Sequence, residues 1–129
     1  MPYAQVEHIG ATSVAGALTK GDLDLQVKVD EEHFSLAVDQ LKDLYEIHQP
    51  ENWTRCYASF KEGISQVLPV GVQVVIAGSE DDFFTRLRDM LIAQPELLAE
   101  MNELKSSFEG RDMESYIKAK GSFYERLLS

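Results

Sequence analysis

Cysteine is almost absent from this chain of 129 residues: Cys56 stands alone, so no intramolecular disulfide can form. Long apolar runs are absent too. The longest stretch, Val67 to Gly78, is interrupted by Pro69, Gly71 and Gln73, too short and too broken to span a bilayer. The N-terminus has neither a cationic start nor an apolar run, so no export signal is expected, and a reducing cytoplasm is the expected compartment. Basic residues are scarce, 12 against 22 acidic, for a formal charge of −10. Duplex nucleic acid is held through phosphate neutralisation, which this surface opposes, so neither nucleic acid nor an anionic membrane is an expected partner. An apolar fraction of 44% excludes a wholly disordered chain, and the length suits one domain over residues 1–129 with an adequate core.

What is present has a clear order. Gln5–Ile9 reads as a short strand closed by Gly10. In Asp22–Val29, Leu23, Leu25, Val27 and Val29 alternate with polar residues, which predicts a strand. Asp30 is placed to cap a helix over Glu31–Tyr45, with Phe34, Ala37, Val38, Leu41 and Leu44 on its apolar face. Cys56–Lys61 and Val72–Ala77 read as two further strands joined by a hairpin-like connection with Gly63, Pro69 and Gly71. Ser79 is expected to cap a helix carrying Phe83, Phe84, Leu87, Met90 and Leu91. Pro95 opens another, with Leu97, Leu98, Met101, Leu104 and Phe108 as its stripe and Gly110 at its end. Asp112 caps a last helix bearing Met113, Tyr116, Ile117, Phe123 and Leu127. Strands first and helices second predict an α+β fold: a small mixed sheet backed by helices, with a helical C-terminal half.

One constellation rises above this background. Gly10-Ala11-Thr12 forms a turn, and Asp22-Leu23-Asp24 follows on the next strand. Residues two apart on a strand share a face, with Cα atoms roughly 6–7 Å apart. Two carboxylates so placed suit Mg²⁺, which prefers oxygen ligands, and a glycine turn can bring backbone N–H groups to a phosphate. Together they suit metal-assisted phosphoryl or nucleotidyl transfer, whereas either half alone reads mostly as solvated surface.

The run Val6-Glu7-His8-Ile9-Gly10-Ala11-Thr12-Ser13-Val14-Ala15-Gly16 resembles the opening motif of the GrpB family, close to E-H-I-G-S-T-S-V-P-G-L. Phe83, Arg88, Pro95, Leu104-Lys105 and the spacing Tyr116-x₃-Lys120-x₂-Phe123 are similar to its later pattern. The family's biochemical role is largely uncharacterised. Its resemblance to the DNA polymerase beta-like nucleotidyltransferases implies a nucleotidyltransferase-like fold, with Gly10, Ala11, Asp22 and Asp24 at that superfamily's site positions. The chain departs from the pattern in five places. Ala11 replaces a serine, and Ala15 and Gly21 replace prolines. An N-terminal helical segment usual in the family is not seen, which would leave an apolar patch for a second copy to cover in a homodimer. Gln73 stands where active enzymes carry a third carboxylate, and where GrpB-like chains tend to carry histidine.

The expected function is Mg²⁺-dependent binding of a nucleotide or other small phosphorylated ligand, with nucleotidyl transfer to a small or protein acceptor as the chemistry this implies. Asp22 and Asp24 would hold the metal as the catalytic pair. Gly10, Ala11, Thr12 and Ser13 would cradle phosphates, and Lys20 and Lys120 would neutralise them. The rival is a non-catalytic accessory domain with a degenerate site, favoured by Gln73 and Ala11. Domains of this kind also occur fused to dephospho-coenzyme A kinase, in keeping with such a role. His8 reads as a buried structural histidine, His33 and His48 as surface residues, and Cys56 as a core thiol. Trp53, Tyr57 and Phe60 read as packing residues. Neither a Walker loop nor a Gly-x-Ser-x-Gly elbow is present.

Overall fold

The computed structural model describes residues 2–19, 22–62 and 70–129. Its strands are β1 (Gln5–Ile9), β2 (Leu23–Val29), β3 (Glu46–Ile47), β4 (Tyr57–Lys61) and β5 (Val70–Ile76). Its helices are α1 (Phe34–Lys42), α2 (Phe84–Ala93), α3 (Pro95–Ser107) and α4 (Met113–Leu128). The strands form one five-stranded sheet in the order β1-β2-β5-β4-β3. Only β2 and β5 run parallel in it; the other pairs are antiparallel. The fold is therefore α+β with a mixed sheet and a helical C-terminal half, as the order of elements predicts.

Alternation along β2 sorts the two faces of the sheet. Val27 and Val29 turn towards α1, and with Ala37, Val38, Leu41, Phe60, Val72 and Val74 they make one core. Lys28 turns the other way, where its ammonium donates to the Thr85 hydroxyl of α2 at 2.7 Å. On this second face the turn after β1 meets the helices, and Val14, Leu91, Met101 and Phe123 form a second core. No helix among the described residues is long and apolar enough to cross a membrane.

Several boundaries differ from those the sequence predicts. The first helix is divided: a 3₁₀ turn over Glu31–His33, capped by the Asp30 carboxylate, precedes α1. The chain leaves α1 at Lys42 to enter β3, which leaves Leu44 72% exposed rather than on the apolar face. The fourth and fifth strands span Tyr57–Lys61 and Val70–Ile76, each offset slightly from expectation. They are antiparallel, and Glu62 N–H donates to the Val70 carbonyl, while residues 63–69 of the expected hairpin lie outside the described residues. Pro95 and Asp112 act as expected at the starts of α3 and α4. On α4, however, Met113 and Ile117 face outward, at 57% and 56% exposure.

Ser79 does not cap α2, which begins at Phe84. The reason is Lys28, whose ammonium pairs with the Asp82 carboxylate at 2.9 Å. Asp82 also accepts from Gly78 N–H, so the intervening residues close a turn before the helix can begin. Both partners are largely buried, so removing one strands the other in a poorly solvated place. Lys28→Met is expected to destabilise the fold by about 3 kcal/mol in urea denaturation. A change under about 0.5 kcal/mol would mean that the pair is solvated and unimportant.

Candidate functional site

Ile9 ends β1 opposite Asp24 of β2, and Gly71 of β5 is the register partner of Asp24 on its other side. The half-buried carboxylate of Asp24 therefore sits between two glycines. A Cβ on Gly10 would lie 2.5 Å from Asp24 Oδ2, and one on Gly71 would lie 2.8 Å from Asp24 Oδ1. Each oxygen occupies space that any other residue would fill. Gly10 also has φ 78° and ψ −177°, a region open essentially to glycine alone. The sequence singles out Gly10 but not Gly71, whose signal is a glycine inside a strand.

Asp22 lies just before β2 and is exposed. Among the described residues neither aspartate carboxylate has a hydrogen-bonding or ion-pairing partner. Burial raises the Asp24 carboxyl above the ordinary aspartate value, the like charge of Asp22 raises it further, and His8 and Lys120 oppose the rise. Lys120 of α4 is held below the usual lysine value by burial, partly offset by the attraction of Asp24, and its ammonium lies over the Tyr116 ring. The structure thus brings Asp22, Asp24, Gly10 and Lys120 into one neighbourhood, whereas Lys20 lies outside the described residues.

The turn after Gly10 is a short 3₁₀ segment, Ala11–Ser13. Both of its hydroxyls are engaged in holding it. Ser13 Oγ donates to the Gly10 carbonyl, and Thr12 Oγ1 donates to the Asp22 carbonyl at 2.9 Å. Thr12 Oγ1 also meets His8 Nε2 at 2.9 Å. A hydroxyl has one proton, and Asp22 takes it, so His8 Nε2 is the donor in that contact. His8 is exposed and steadies the turn; it is not the buried histidine expected from its strand. Ser13 and Val14 supply the backbone donors of the turn, which leaves the N–H groups of Ala11 and Thr12 without an acceptor among the described residues.

Arg88 is engaged within the fold. Its guanidinium donates to Glu7 Oε2 at 2.9 Å and to the His8 carbonyl at 3.0 Å, clamping α2 to β1. The Glu7 carboxyl is held below the usual glutamate range, chiefly by its bond from Arg88. Lys105 is likewise engaged, donating to the Leu18 carbonyl at 2.8 Å.

A cavity of about 300 Å³ opens beside the aspartates, lined among others by Asp22, Asp24, His48, Tyr57, Lys61 and Gln73. Asp22 and Asp24 are the acidic side chains among the described residues that line it. His48 is half-buried in its wall rather than free on the surface, and Tyr57 is a wall residue as well as a packing one. Both come from the far side of the sheet, and nothing local in the sequence signals their approach. Trp53 and Phe60 do pack as expected, their rings 5.3 Å apart, and Cys56 is buried.

A UPF0157 protein of Vibrio cholerae is 38% identical over 128 residues, which is 99% of this chain and 68% of that protein. The crystal structure of the conserved protein GrpB from Enterococcus faecalis superposes with a TM-score of 0.72. At 19% identity, covering 95% of this chain and 78% of that one, this likeness establishes a common fold. The profile of the GrpB protein family matches residues 1–129. The chain belongs to the GrpB family.

Proposed function

We propose that this protein binds a nucleotide together with one divalent cation at Asp22 and Asp24, and that nucleotidyl transfer is the chemistry such a site serves. The observation that carries this reading is the Asp24 carboxylate, half-buried, without a partner among the described residues and beside a like charge, with a glycine next to each oxygen. A protein gains nothing in stability by keeping such a group ionised, whereas a hard cation would resolve both the repulsion and the missing partners. Mg²⁺ bound there would neutralise phosphate charge and orient a phosphoryl group. The N–H groups of Ala11 and Thr12, without an acceptor among the described residues, offer donors to phosphate oxygens, and Thr12 and Ser13 act through their hydroxyls by fixing the turn rather than by direct contact. Lys120 supplies compensating positive charge.

A second reading, an accessory domain without catalysis, is favoured by one observation. Gln73, with no acidic group, lines the cavity where a third acid would be needed to hold a second metal or take a proton. Calorimetry with ATP, GTP, CTP and UTP, each with and without Mg²⁺, separates the two. The nucleotide reading expects Mg²⁺-dependent heat that is lost in Asp24→Asn, with the circular dichroism spectrum unchanged. Absence of heat for every triphosphate in wild type supports the accessory role instead.

A further inference from the structure

One row across the sheet carries charge of both signs. Asp24 of β2, Gly71 of β5 and Lys61 of β4 are register neighbours on three adjacent strands, so all three belong to the face on which the cavity opens. Neighbouring strands lie roughly 4.8 Å apart, which sets the Asp24 and Lys61 backbones roughly 9–10 Å from one another with a glycine between them. The Asp24 carboxylate leans over that glycine: its Oδ1 is the atom a Cβ on Gly71 would strike, at 2.8 Å. No atom of Lys61 comes within 4 Å of the same point. The cavity thus has carboxylates on one wall, a bare glycine in its floor and an ammonium on the other wall.

The other cations of this face are engaged. Lys28 pairs with Asp82, Arg88 with Glu7, and Lys105 donates to the Leu18 carbonyl. Lys120 feels the attraction of Asp24 and stands over the Tyr116 ring. Lys61 is the one lysine or arginine among the described residues that lines the cavity. It is exposed, and it forms no ion pair among the described residues, even with Glu46, its exposed cross-strand partner on β3. An ammonium set across a gap from two carboxylates, rather than against them, keeps its charge for whatever enters the gap.

We propose that Lys61 is the phosphate-binding residue of this cavity, and that it selects a chain of phosphates over a single one. A cation at Asp22 and Asp24 would hold one phosphate, the chain would cross the floor at Gly71, and the Lys61 ammonium would donate to a phosphate further along. A monophosphate on the cation engages one wall, whereas a diphosphate or triphosphate engages both. The inference rests on the cation reading of Asp22 and Asp24, and adds which part of the ligand is selected and by which side chain.

The test compares affinities, by calorimetry with Mg²⁺, for ATP, ADP, AMP and inorganic tripolyphosphate. Wild type is expected to bind ATP and tripolyphosphate about tenfold or more tightly than AMP, the usual worth of one hydrogen bond to a charged group. Lys61→Met is expected to weaken both by about tenfold, with AMP affinity and the circular dichroism spectrum unchanged. Lys42→Met removes the same charge from the exposed end of α1, which packs on the opposite face of the sheet, and is expected to alter none of the four. Equal ATP affinity in wild type and Lys61→Met overturns the proposal, as does AMP binding as tightly as ATP in wild type. An equal loss in Lys42→Met overturns it too, by making the effect one of overall charge. So does a loss for ATP without one for tripolyphosphate, which would put Lys61 against the base or sugar. If Asp24→Asn abolishes ATP binding while Lys61→Met leaves it unchanged, the cation site stands without this phosphate contact. Failure of wild type to bind any of the four overturns the site reading and this one together.

Discussion

Alanine at position 10 is expected to destabilise the protein by about 3 kcal/mol and to abolish cation binding. Two independent effects add. The backbone at Gly10, φ 78° and ψ −177°, lies where other residues carry a penalty of roughly 1–3 kcal/mol. The new methyl would also stand 2.5 Å from Asp24 Oδ2, closer than real Cβ atoms come, and 3.1 Å from the Asp24 Cβ, a tight contact that the backbone must ease. The carboxylate can rotate, but its Cβ is fixed to the strand, so the turn or the strand must shift. Gly71→Ala makes a useful contrast. Its methyl would press on the far end of the same side chain, 2.8 Å from Oδ1, and Gly71 has no positive φ to relax from. It is expected to lower cation affinity with much less effect on stability. Urea denaturation and Mn²⁺ titration of both variants check this. If Gly10→Ala is as stable as wild type, the packing of Asp24 between the glycines is not what constrains the turn.

The second large effect concerns pH. An aspartate with a bonded partner normally strengthens a fold as pH rises. Asp24 should do the reverse, because burial and Asp22 raise its carboxyl above 3.8, the ordinary value. From 3.8 up to that raised value the folded chain holds more protons than the unfolded chain. Stability contributed by the neutral carboxyl is present below this window and lost as pH rises through it. Asp24→Asn is therefore expected to be more stable than wild type at neutral pH and to lack that downward slope. Mg²⁺ should restore wild type and leave the variant unmoved. A cation at about 100 times its dissociation constant adds about 2.7 kcal/mol to the folded state. Cation affinity should itself fall as the solution is acidified into the same window, since the proton competes for Asp24. Thermal melts of both proteins across pH 4 to 8, with and without Mg²⁺, measure all of this. A variant less stable than wild type at pH 7 without metal would mean that the Asp24 charge is already satisfied within the protein.

Features set by local chemistry were legible in the sequence. The alternation of Leu23, Leu25, Val27 and Val29 announces β2, and Asp30, Pro95 and Asp112 announce the starts of turns and helices. The glycine turn and the two aspartates are likewise visible, because each is a short run with its own geometry. Features set by distant partners were not. The start of α2 depends on Lys28 reaching Asp82, and no pattern near Ser79 reports that. Nothing near Arg88 in the sequence announces its bond to Glu7, which the packing of α2 on β1 brings beside it. The role of Gly71 depends on a parallel pairing with β2 across the whole of α1, β3 and β4. His48 joins the cavity wall for the same reason. The two residues of β3, Glu46 and Ile47, are too few to show any period, and they are held by pairing with β4 alone.

The proposed function stands or falls on one cation shared by Asp22 and Asp24. Anomalous scattering from crystals soaked with Mn²⁺ and a nucleoside triphosphate tests it most directly. One peak is expected within coordination distance of both carboxylates, absent from Asp24→Asn crystals treated alike. Clear density for the two side chains with no peak between them, at saturating Mn²⁺, would contradict it.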